Sequence, residues 1–470
     1  MAVVVAVAFL LFAGRVLLYE QEDDEQHLAI KKSYLDQVWD VTSKLPVGPN
    51  IVVILFDDLG CGDIGAYGGQ AIATPRLDRL ATQGLLFTNG YAPSSYCSAS
   101  RAGLMTGRYA VRSGLDHVLQ VPRSWQDNLI RVGGLNRRLP AEEITLAEVL
   151  KAAGYTTAIV GKWHLGDQSP SLPNDMGFDS FYGLLYSNDQ GKPKVWRNTE
   201  IVESHPIDQA TLTRRYTEEA VAFIEKNRDR PFFLYLPHTF PHRPLHVGED
   251  RLGSSAAGLY GDVVEELDWS TGEVLDAIDR TDVARNTLVV VSSDNGPWFQ
   301  GSPGGLRGRK FDVFEGGTRV PLIVRWPARI AAGRVDEDIA SGIDIFPTVL
   351  EFLGIPAPPD RVIDGESLAG RFAGEKAEPR GPVWFHQVGH LRAVRLGRFK
   401  YHDRHRLSFG NPPDFPLGVW VEHGPWLFDI ELDPDESYDV SRRHPETFER
   451  MALMLAARLK EMEDNPRGWR

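Results

Sequence analysis

The chain has 470 residues, of which 42% are hydrophobic and 24% charged, and a formal net charge of −13. This balance is typical of a globular protein with a large core, and the acidic total argues against nucleic acid as a general partner. Two cysteines, Cys61 and Cys97, are too few for a disulfide framework, so they form one disulfide or serve as small buried side chains.

The N-terminal segment is mostly apolar. The run from Ala2 to Gly14 contains thirteen such residues before Arg15, and no Lys or Arg precedes it. A run of this length favours the hydrophobic region of a signal peptide over a membrane span of about 20 residues. We therefore predict that residues 1–19 are a signal peptide or signal anchor and that the protein is exported to a periplasmic, extracellular or lumenal space. A cytoplasmic protein with a buried apolar start is the alternative.

Residues 20–49 are charged, with scattered apolar positions, and are predicted to form a helical spacer. A buried strand follows at residues 51–56, a continuous β-branched run that ends at Asp57 and Asp58. Residues 288–291 repeat this pattern and lead into Asp294 and Asn295.

Two further apolar runs, "YTTAIVGKWHLG" and "PFFLYLPHTFPH", also end in polar, chemically capable residues. Helix-like segments at residues 75–84, 145–154 and 216–227 lie between the strands. This alternation predicts an α/β fold with a large sheet sandwiched by helices, in which ligands bind beyond the carboxyl ends of the strands.

The pattern changes after about residue 375. Two segments, "GPVWFHQVGHLRAVRLGRFKYH" and "WLFDIELDPDESYDV", are typical of short antiparallel strands joined by turns. Residues 445–463 are predicted to form a closing helix. We therefore predict a catalytic domain at residues 50–375 and a smaller α+β subdomain, with an antiparallel sheet, at residues 376–470.

Four oxygen-bearing side chains follow the two best-defined strands: Asp57, Asp58, Asp294 and Asn295. Asp and Asn also cap helices and form turns, which is the ordinary explanation for any one pair. Two pairs on matching strands, without a nearby cluster of cysteines or histidines, favour a site for Ca²⁺ or Mg²⁺ rather than zinc.

Five cationic or titratable side chains also lie near the ends of apolar runs: Arg101, Lys162, His164, His242 and Lys310. Lys162 and His164 are two residues apart, so they face the same side of an extended segment. Lys310 lies in the glycine-rich stretch "GGLRGRKFDVFEGG", where the backbone can approach a ligand closely. Each could be a solvated surface charge, but together they could neutralise an oxyanion.

The stretch "CSASR" at residues 97–101 resembles the signature of type I sulfatases, in which cysteine is followed by any residue, Pro or Ala, Ser and Arg. The resemblance extends from Asn50 to about Val440 and is closest to the arylsulfatase A-like branch of the alkaline phosphatase superfamily. Other segments resemble that family in the same order: "LAEVLKAAGYTTAIVGKWHLG", "GFDSFYGLLYSNDQG", "SSDNGPW", "EGGTRVPLIVRWP" and "LFDIELDPDESYDV". The resemblance implies an alkaline phosphatase-like fold with a mixed, mostly parallel sheet.

The family implies that a formylglycine-generating maturation enzyme oxidises Cys97 to Cα-formylglycine, an aldehyde that is hydrated in the resting site. Ala99 stands where most members have proline, and the maturation system accepts either residue. The resemblance disfavours a disulfide at Cys97 and leaves Cys61 as a structural cysteine.

The family also implies a role for each candidate side chain. The hydrate at residue 97 would bind one divalent cation, Ca²⁺ or Mg²⁺, together with Asp57, Asp58, Asp294 and Asn295. Arg101 would orient the hydrate and His164 would act on it as a base. Sulfate oxygens would contact Lys162, Lys310 and Ser187, and the leaving oxygen would face His242.

The resulting prediction is a hydrolase of aryl or carbohydrate sulfate monoesters, with the hydrate as nucleophile and a sulfated hemiacetal as intermediate. A carbohydrate sulfate is favoured on family frequency. A phosphomonoesterase or phosphodiesterase on the same fold is one alternative, although Lys162, Lys310 and Arg101 occupy the place of its second metal. A non-catalytic sulfatase-like binding protein is the other.

Two features remain open. The segment at residues 116–138, with Arg123, Trp125, Arg131 and the Arg137-Arg138 pair, could line a substrate pocket, form an oligomer contact or be a solvated loop. His386 and His390 are predicted to reach the pocket rim.

Overall fold

The computed structural model describes residues 14, 16, 19–44, 48–375, 378–408 and 420–470. Most of the predicted signal peptide or anchor therefore lies outside the described residues. Among the helices that are described, none is both long and apolar enough to cross a membrane.

Helices and strands alternate through most of the chain. The α-helices are α1 (Glu25–Thr42), α2 (Pro75–Gln83), α3 (Cys97–Thr106), α4 (Trp125–Gly133), α5 (Leu146–Ala152), α6 (Leu212–Asn227), α7 (Gly258–Arg280), α8 (Glu315–Thr318), α9 (Ile345–Phe352), α10 (Ala369–Ala373) and α11 (Pro445–Asp464). The strands are β1 (Asn50–Phe56), β2 (Leu85–Tyr91), β3 (Thr156–Lys162), β4 (Ser180–Leu184), β5 (Val195–Arg197), β6 (Glu200–Glu203), β7 (Phe232–Pro237), β8 (Thr287–Ser293), β9 (Leu322–Arg325), β10 (Arg334–Ser341), β11 (Val383–Gln387), β12 (His390–Leu396), β13 (Phe399–His402), β14 (His405–Ser408), β15 (Trp420–His423) and β16 (Trp426–Asp429).

Ten strands form one sheet in the order β10-β2-β9-β8-β1-β7-β3-β4-β5-β6. Strands β8, β1, β7, β3 and β4 at its centre are parallel to one another, whereas β9 and the outer β5 and β6 pair antiparallel with their neighbours. The predicted α/β fold with a mixed, mostly parallel sheet is confirmed.

The central strands are covered on both faces. Along β1, Ile51, Val53 and Leu55 pack into one apolar cluster, whereas Val52 and Ile54 pack into a second cluster on the opposite face. Alternate side chains of a strand point to opposite faces, so only a sheet sandwiched between helices makes both sets apolar. The continuous hydrophobic run in the sequence is thereby explained.

The predicted helix within residues 20–49 is α1, which packs against the main core. Tyr34 and Val38 are buried in the same cluster as strand β1. The Lys31 ammonium is 2.5 Å from Glu148 and donates hydrogen bonds to the carbonyls of Ala141 and Glu143. This segment is therefore held by both apolar and charged contacts.

A second, four-stranded antiparallel sheet, in the order β11-β12-β13-β16, follows the main sheet. Helix α11 covers it, since Met451 and Leu455 pack against Leu391, Val394 and Tyr401. The small C-terminal antiparallel sheet and closing helix are as the sequence predicts.

Strand β3 approaches its neighbours unusually closely at Gly161, the residue before Lys162. Its φ is +131°, and an added Cβ would lie 1.9 Å from the carbonyl oxygen of Pro237 on β7. We expect Gly161→Ala to lower the free energy of unfolding by about 3 kcal/mol or more, because the backbone must move.

Chemical denaturation of the variant beside Gly397→Ala provides the measurement. Gly397 also has a positive φ, +57°, but no described atom lies within 4 Å of the point that an added Cβ would occupy. That control carries backbone strain alone, which costs about 1 kcal/mol. Equal losses in the two variants would contradict the steric explanation.

Candidate active site

The carboxyl ends of four neighbouring strands meet at one edge of the large sheet. Strands β1 and β8 are parallel and in register, with Phe56 opposite Ser293. The Asp57-Asp58 pair therefore lies directly beside Asp294, whose amide donates a hydrogen bond to the Phe56 carbonyl at 3.0 Å. Strands β7 and β3 continue the same edge.

Hydrogen bonds link the residues at the end of β1 to those at the end of β8. Asp58 has a φ of +69°, and its amide donates to Asp294 Oδ1 at 3.2 Å. The Asn295 side-chain amide donates to Asp58 Oδ1 at 2.7 Å. All four predicted oxygen-bearing residues are buried, so the chain has removed three carboxylates from water at a single point.

Three cations compensate these carboxylates. The Lys162 ammonium lies 2.5 Å from Asp57 Oδ2, and the Lys310 ammonium lies 2.7 Å from Asp58 Oδ1. The Arg101 guanidinium contacts Asp294 Oδ2 at 2.8 Å and Asp57 Oδ2 at 3.4 Å. Buried charges persist only when paired in this way.

The charges shift one another's pKa values. Burial alone would raise the pKa of Asp57, but Lys162, His242 and Arg101 outweigh it and hold that pKa well below its usual range. Burial opposes the charged form of Lys310, yet Asp58 and the neighbouring groups raise the pKa of this lysine well above its ordinary value. The site therefore retains its ionised pairs at neutral pH.

Cys97 lies at the centre of this cluster, as the first residue of α3. Its Sγ is 3.2 Å from the Lys310 ammonium and 3.5 Å from Asp57 Oδ1. Cys97 and Cys61 are both buried and free, so the disulfide alternative is excluded in this structure. Burial raises the pKa of the Cys97 thiol to about 12 despite the two lysines, and the unmodified thiol is consequently a poor nucleophile at neutral pH.

His164 follows β3 with a φ of +62° and is fully buried. Its Nε2 lies 3.1 Å from the Leu119 carbonyl, which can only accept, so the proton resides on Nε2. Nδ1 has no hydrogen-bond partner among the residues the structure describes. Burial, Lys162 and Arg101 lower the pKa of His164 well below its usual value, which keeps the ring neutral with a free lone pair.

His242 lies on the opposite side of the cluster. Its Nδ1 is 2.6 Å from the carbonyl of Arg243 and 3.3 Å from Ser187 Oγ. The carbonyl requires a proton on Nδ1, so Nε2, 3.8 Å from Asp58 Oδ2, is the nitrogen that faces the site. Burial and Lys310 lower the pKa of His242.

Part of the predicted donor set lies in a cluster that could hold a metal ion, in which His242 rather than Asp294 joins Asp57, Asp58 and Cys97. Ligand atoms of Asp57, Asp58, Cys97 and His242 lie within 4.8 Å of one another. Asn295 Oδ1 is buried and has no hydrogen-bond partner within the described chain, which is the state expected of an oxygen that serves as a ligand. Carboxylate and amide oxygens are preferred by Ca²⁺ and Mg²⁺.

A cavity of about 570 Å³ opens above Cys97. Its wall includes Asp58, His164, Ser187, His242 and Lys310 together with residues to which the sequence analysis assigns no catalytic role. The wall residues outside the catalytic set include His117, Val118, Gln120, Val121, Ser124, Trp125, Gln126, Asp189, Gln190, Arg243, Trp298, Phe311 and Val388.

Part of the segment at residues 116–138 lines this cavity, in line with the first of its three predicted roles. Residues 117–126 contribute much of its wall, including Trp125. The three arginines in the second half of the segment instead form ion pairs. Arg131 and Arg137 contact Asp127, and Arg138 Nη2 is 2.7 Å from Asp23.

The prediction for His386 and His390 is wrong. Neither lines the cavity as described, since His386 is buried against Tyr109 and His390 is exposed. Their turn instead contributes Val388. Sequence reasoning also missed Asn188, whose Oδ1 lies 3.2 Å from His242 Nδ1; its adjacency to Ser187 was the one available signal.

Known proteins are similar to this chain in sequence and in fold. The family described as Sulfatase matches residues 49–355. The N-acetylgalactosamine-6-sulfatase of Canis lupus familiaris is 39% identical over 435 residues, covering 84% of this chain and 82% of the relative. Steryl-sulfatase of Homo sapiens is 32% identical, with 89% of each chain covered. A solved sulfatase from Pseudoalteromonas sp. has a TM-score of 0.79 at 26% identity, covering 96% of this chain and 98% of that one.

Proposed function

Because this chain belongs to the sulfatase family and is therefore a sulfuric ester hydrolase, we propose that it removes sulfate from a carbohydrate sulfate monoester, with Cys97 in its oxidised form as nucleophile. The observation that carries this proposal is the position of Cys97, at hydrogen-bond distance from Lys310 and next to the buried carboxylate of Asp57.

Cα-formylglycine at position 97 would supply a hydrated aldehyde, one of whose hydroxyls attacks sulfur while the other later allows sulfate to be expelled. His164 is the base that we assign to this hydrate, since its Nδ1 is neutral and unpartnered in the described chain. Arg101 would orient the group, because two of its nitrogens are fixed on Asp294 and a third on the Lys162 carbonyl.

The sulfuryl group would lie against cations. Lys162, Lys310 and the hydroxyl of Ser187 are the side chains that we assign to its oxygens, and His242 Nε2 would face the leaving oxygen. Three carboxylates already balance three cations in the site. A divalent cation would therefore make the site net positive, which favours an anionic substrate in an otherwise acidic protein.

Asp57, Asp58, Asp294 and Asn295 would hold this cation, and Ca²⁺ is the ion that we propose, with Mg²⁺ as the alternative. A cation held there would act as a Lewis acid toward the transferring group. We also propose export of the protein, on the apolar composition of residues 2–14.

The function is tested by co-expressing the chain with a formylglycine-generating enzyme and comparing 4-nitrophenyl sulfate with 4-nitrophenyl phosphate. We expect the sulfate to be the better substrate by kcat/KM, because the site offers lysines and an arginine where a second metal would serve a phosphatase. A preference for the phosphate would overturn the proposal.

Cation binding should be visible without turnover. We expect CaCl₂ to raise the Tm of the protein, since a ligand at 100 times its Kd adds about 2.7 kcal/mol to the free energy of unfolding. Asp58→Asn should bind calcium at least about tenfold more weakly, because one ligand loses its charge. The matched control is Asp189→Asn, an exposed acid in the cavity wall. A calcium response of Asp58→Asn equal to wild type would contradict the assigned ligands.

A further inference from the structure

His117 is a largely buried polar side chain in the cavity wall that none of the assigned roles uses. Its side chain is 10% exposed. Neither ring nitrogen has a hydrogen-bond partner in the part of the chain that the structure describes, and the nearest acid, Asp116, is 3.7 Å from Nδ1. Buried imidazole nitrogens are normally hydrogen-bonded, so an unsatisfied pair in a cavity wall is available to bind a molecule that enters the cavity.

The segment that carries His117 is hydrogen-bonded to both neighbours of Cys97. Tyr96, the residue before Cys97, donates its hydroxyl to the carbonyl of Asp116. Ser98, the residue after Cys97, accepts a hydrogen bond from the amide of Leu119 at 3.1 Å. The two neighbours of Cys97 thus anchor both ends of the segment that carries His117, which fixes the backbone of this segment beside the first turn of α3.

Several other polar groups around the cavity already have partners in the described chain. Gln190 accepts from the Ser187 amide at 3.2 Å and donates to the Leu119 carbonyl at 2.9 Å. Ser124 Oγ caps α4 by accepting from the Asp127 amide, and Lys310 is paired with Asp58. His117 therefore has donor and acceptor capacity to offer a substrate without breaking an existing contact.

The rest of the cavity suits a sugar ring. Trp125 is 60% exposed, Trp298 lies in the same wall, and such aromatic faces pack well against the apolar face of a pyranose. Exposed Asp189 and the neighbouring glutamines add a polar rim. A volume of about 570 Å³ is within the usual range for a small-molecule site.

We propose that His117 is a specificity-determining residue of this sulfatase, which hydrogen-bonds a ring hydroxyl or amide of a sulfated pyranose and so selects a sugar over an aryl leaving group. The inference rests on the proposed function and extends it to the part of the substrate beyond the sulfate. Asp116 is a positioning residue in this account, since its carboxylate is the acid nearest to Nδ1, at 3.7 Å.

The test compares matured wild-type protein with His117→Ala on 4-nitrophenyl sulfate and on a set of sulfated monosaccharides. The set comprises the 4- and 6-sulfates of N-acetylgalactosamine, N-acetylglucosamine 6-sulfate and galactose 6-sulfate. We expect kcat/KM for the preferred sugar to fall about ten- to a hundredfold, the usual consequence of losing one buried hydrogen bond. The aryl sulfate, which has no ring hydroxyl, should be hydrolysed as well as by wild type.

Two further variants separate recognition from structure. His117→Gln retains an amide near the position of Nε2 and should recover part of the sugar activity, whereas His390→Ala, at an exposed histidine outside the cavity, should resemble wild type. Equal losses on sugar and aryl sulfates would overturn the specificity role. Turnover of the aryl sulfate but of none of the sugars would overturn the pyranose class alone, and turnover of no sulfate at all would overturn the proposed function.

Discussion

Cys97→Ala is expected to lower kcat for aryl sulfate hydrolysis by at least about 10⁴-fold, because removal of a covalent nucleophile leaves only the binding and electrostatic contributions of the site. The cavity and ion pairs around residue 97 involve other side chains, so the variant should remain folded. The measurement is steady-state kinetics of protein co-expressed with the maturation enzyme, beside thermal melting of the same samples.

Cys97→Ser gives a sharper form of this prediction. A serine offers one hydroxyl where the hydrated aldehyde offers two, so a sulfated serine could be released only by attack of water at sulfur. We expect at most one turnover per molecule, with the covalent product visible by mass spectrometry.

Cys61→Ala is the matched control, since Cys61 is also buried and free, and its thiol donates to the Arg319 carbonyl at 3.7 Å rather than contacting the ion pairs around Cys97. Its kcat should equal that of wild type. Full activity in Cys97→Ala, or in wild-type protein whose peptide mass shows an unaltered thiol at position 97, would contradict the role of Cys97.

Lys310→Ala has the second-largest expected effect, a loss of about 10²–10³ in kcat/KM for an aryl sulfate. The Lys310 ammonium lies at hydrogen-bond distance from Cys97 Sγ, at 3.2 Å, and it also neutralises the Asp58 carboxylate. Without it, negative charge that develops on the transferring group would lack a preorganised partner, and Asp58 would lose its ion pair.

Lys400→Met distinguishes this electrostatic role from the general cost of removing a buried charge. Lys400 is fully buried and pairs with Glu315 at 2.9 Å and Glu436 at 3.3 Å, away from the cavity. We expect it to lower Tm, because it leaves two carboxylates with less compensation, while kcat of the folded fraction is unchanged. The assignment of Lys310 fails if Lys310→Ala retains wild-type turnover, or if Lys400→Met loses as much.

Much of the candidate site could be predicted because strand ends carry local signals. The apolar run of β1 and its terminal Asp57-Asp58 pair are adjacent in sequence, and the same holds for β8 and Asp294-Asn295. Parallel neighbours bring their carboxyl ends to one edge, so a local pattern sufficed to predict convergence. The start of a helix can also depend on a local signal. Helix α5 begins after Thr145, whose side chain and that of Glu148, three residues later, cap each other's backbone amides.

The cavity wall could not be predicted in the same way. In sequence, the arginines of residues 131–138 are indistinguishable from a cluster that binds an anionic substrate. In the fold, Asp127 and Asp23 form ion pairs with them. Val388 reaches the cavity because the turn between β11 and β12 packs against Asp116, more than 200 residues earlier in the chain.

The sequence by itself determined the strands, the family resemblance and the residues that meet at the sheet edge, because each depends on short patterns of burial and polarity. Tertiary structure alone decided that both ring nitrogens of His117 lack a hydrogen-bond partner within the described chain, that Asn188 contacts His242 and that α1 packs on the core. Those outcomes depend on which distant groups satisfy one another's hydrogen bonds and charges, and no local pattern in the chain records that choice.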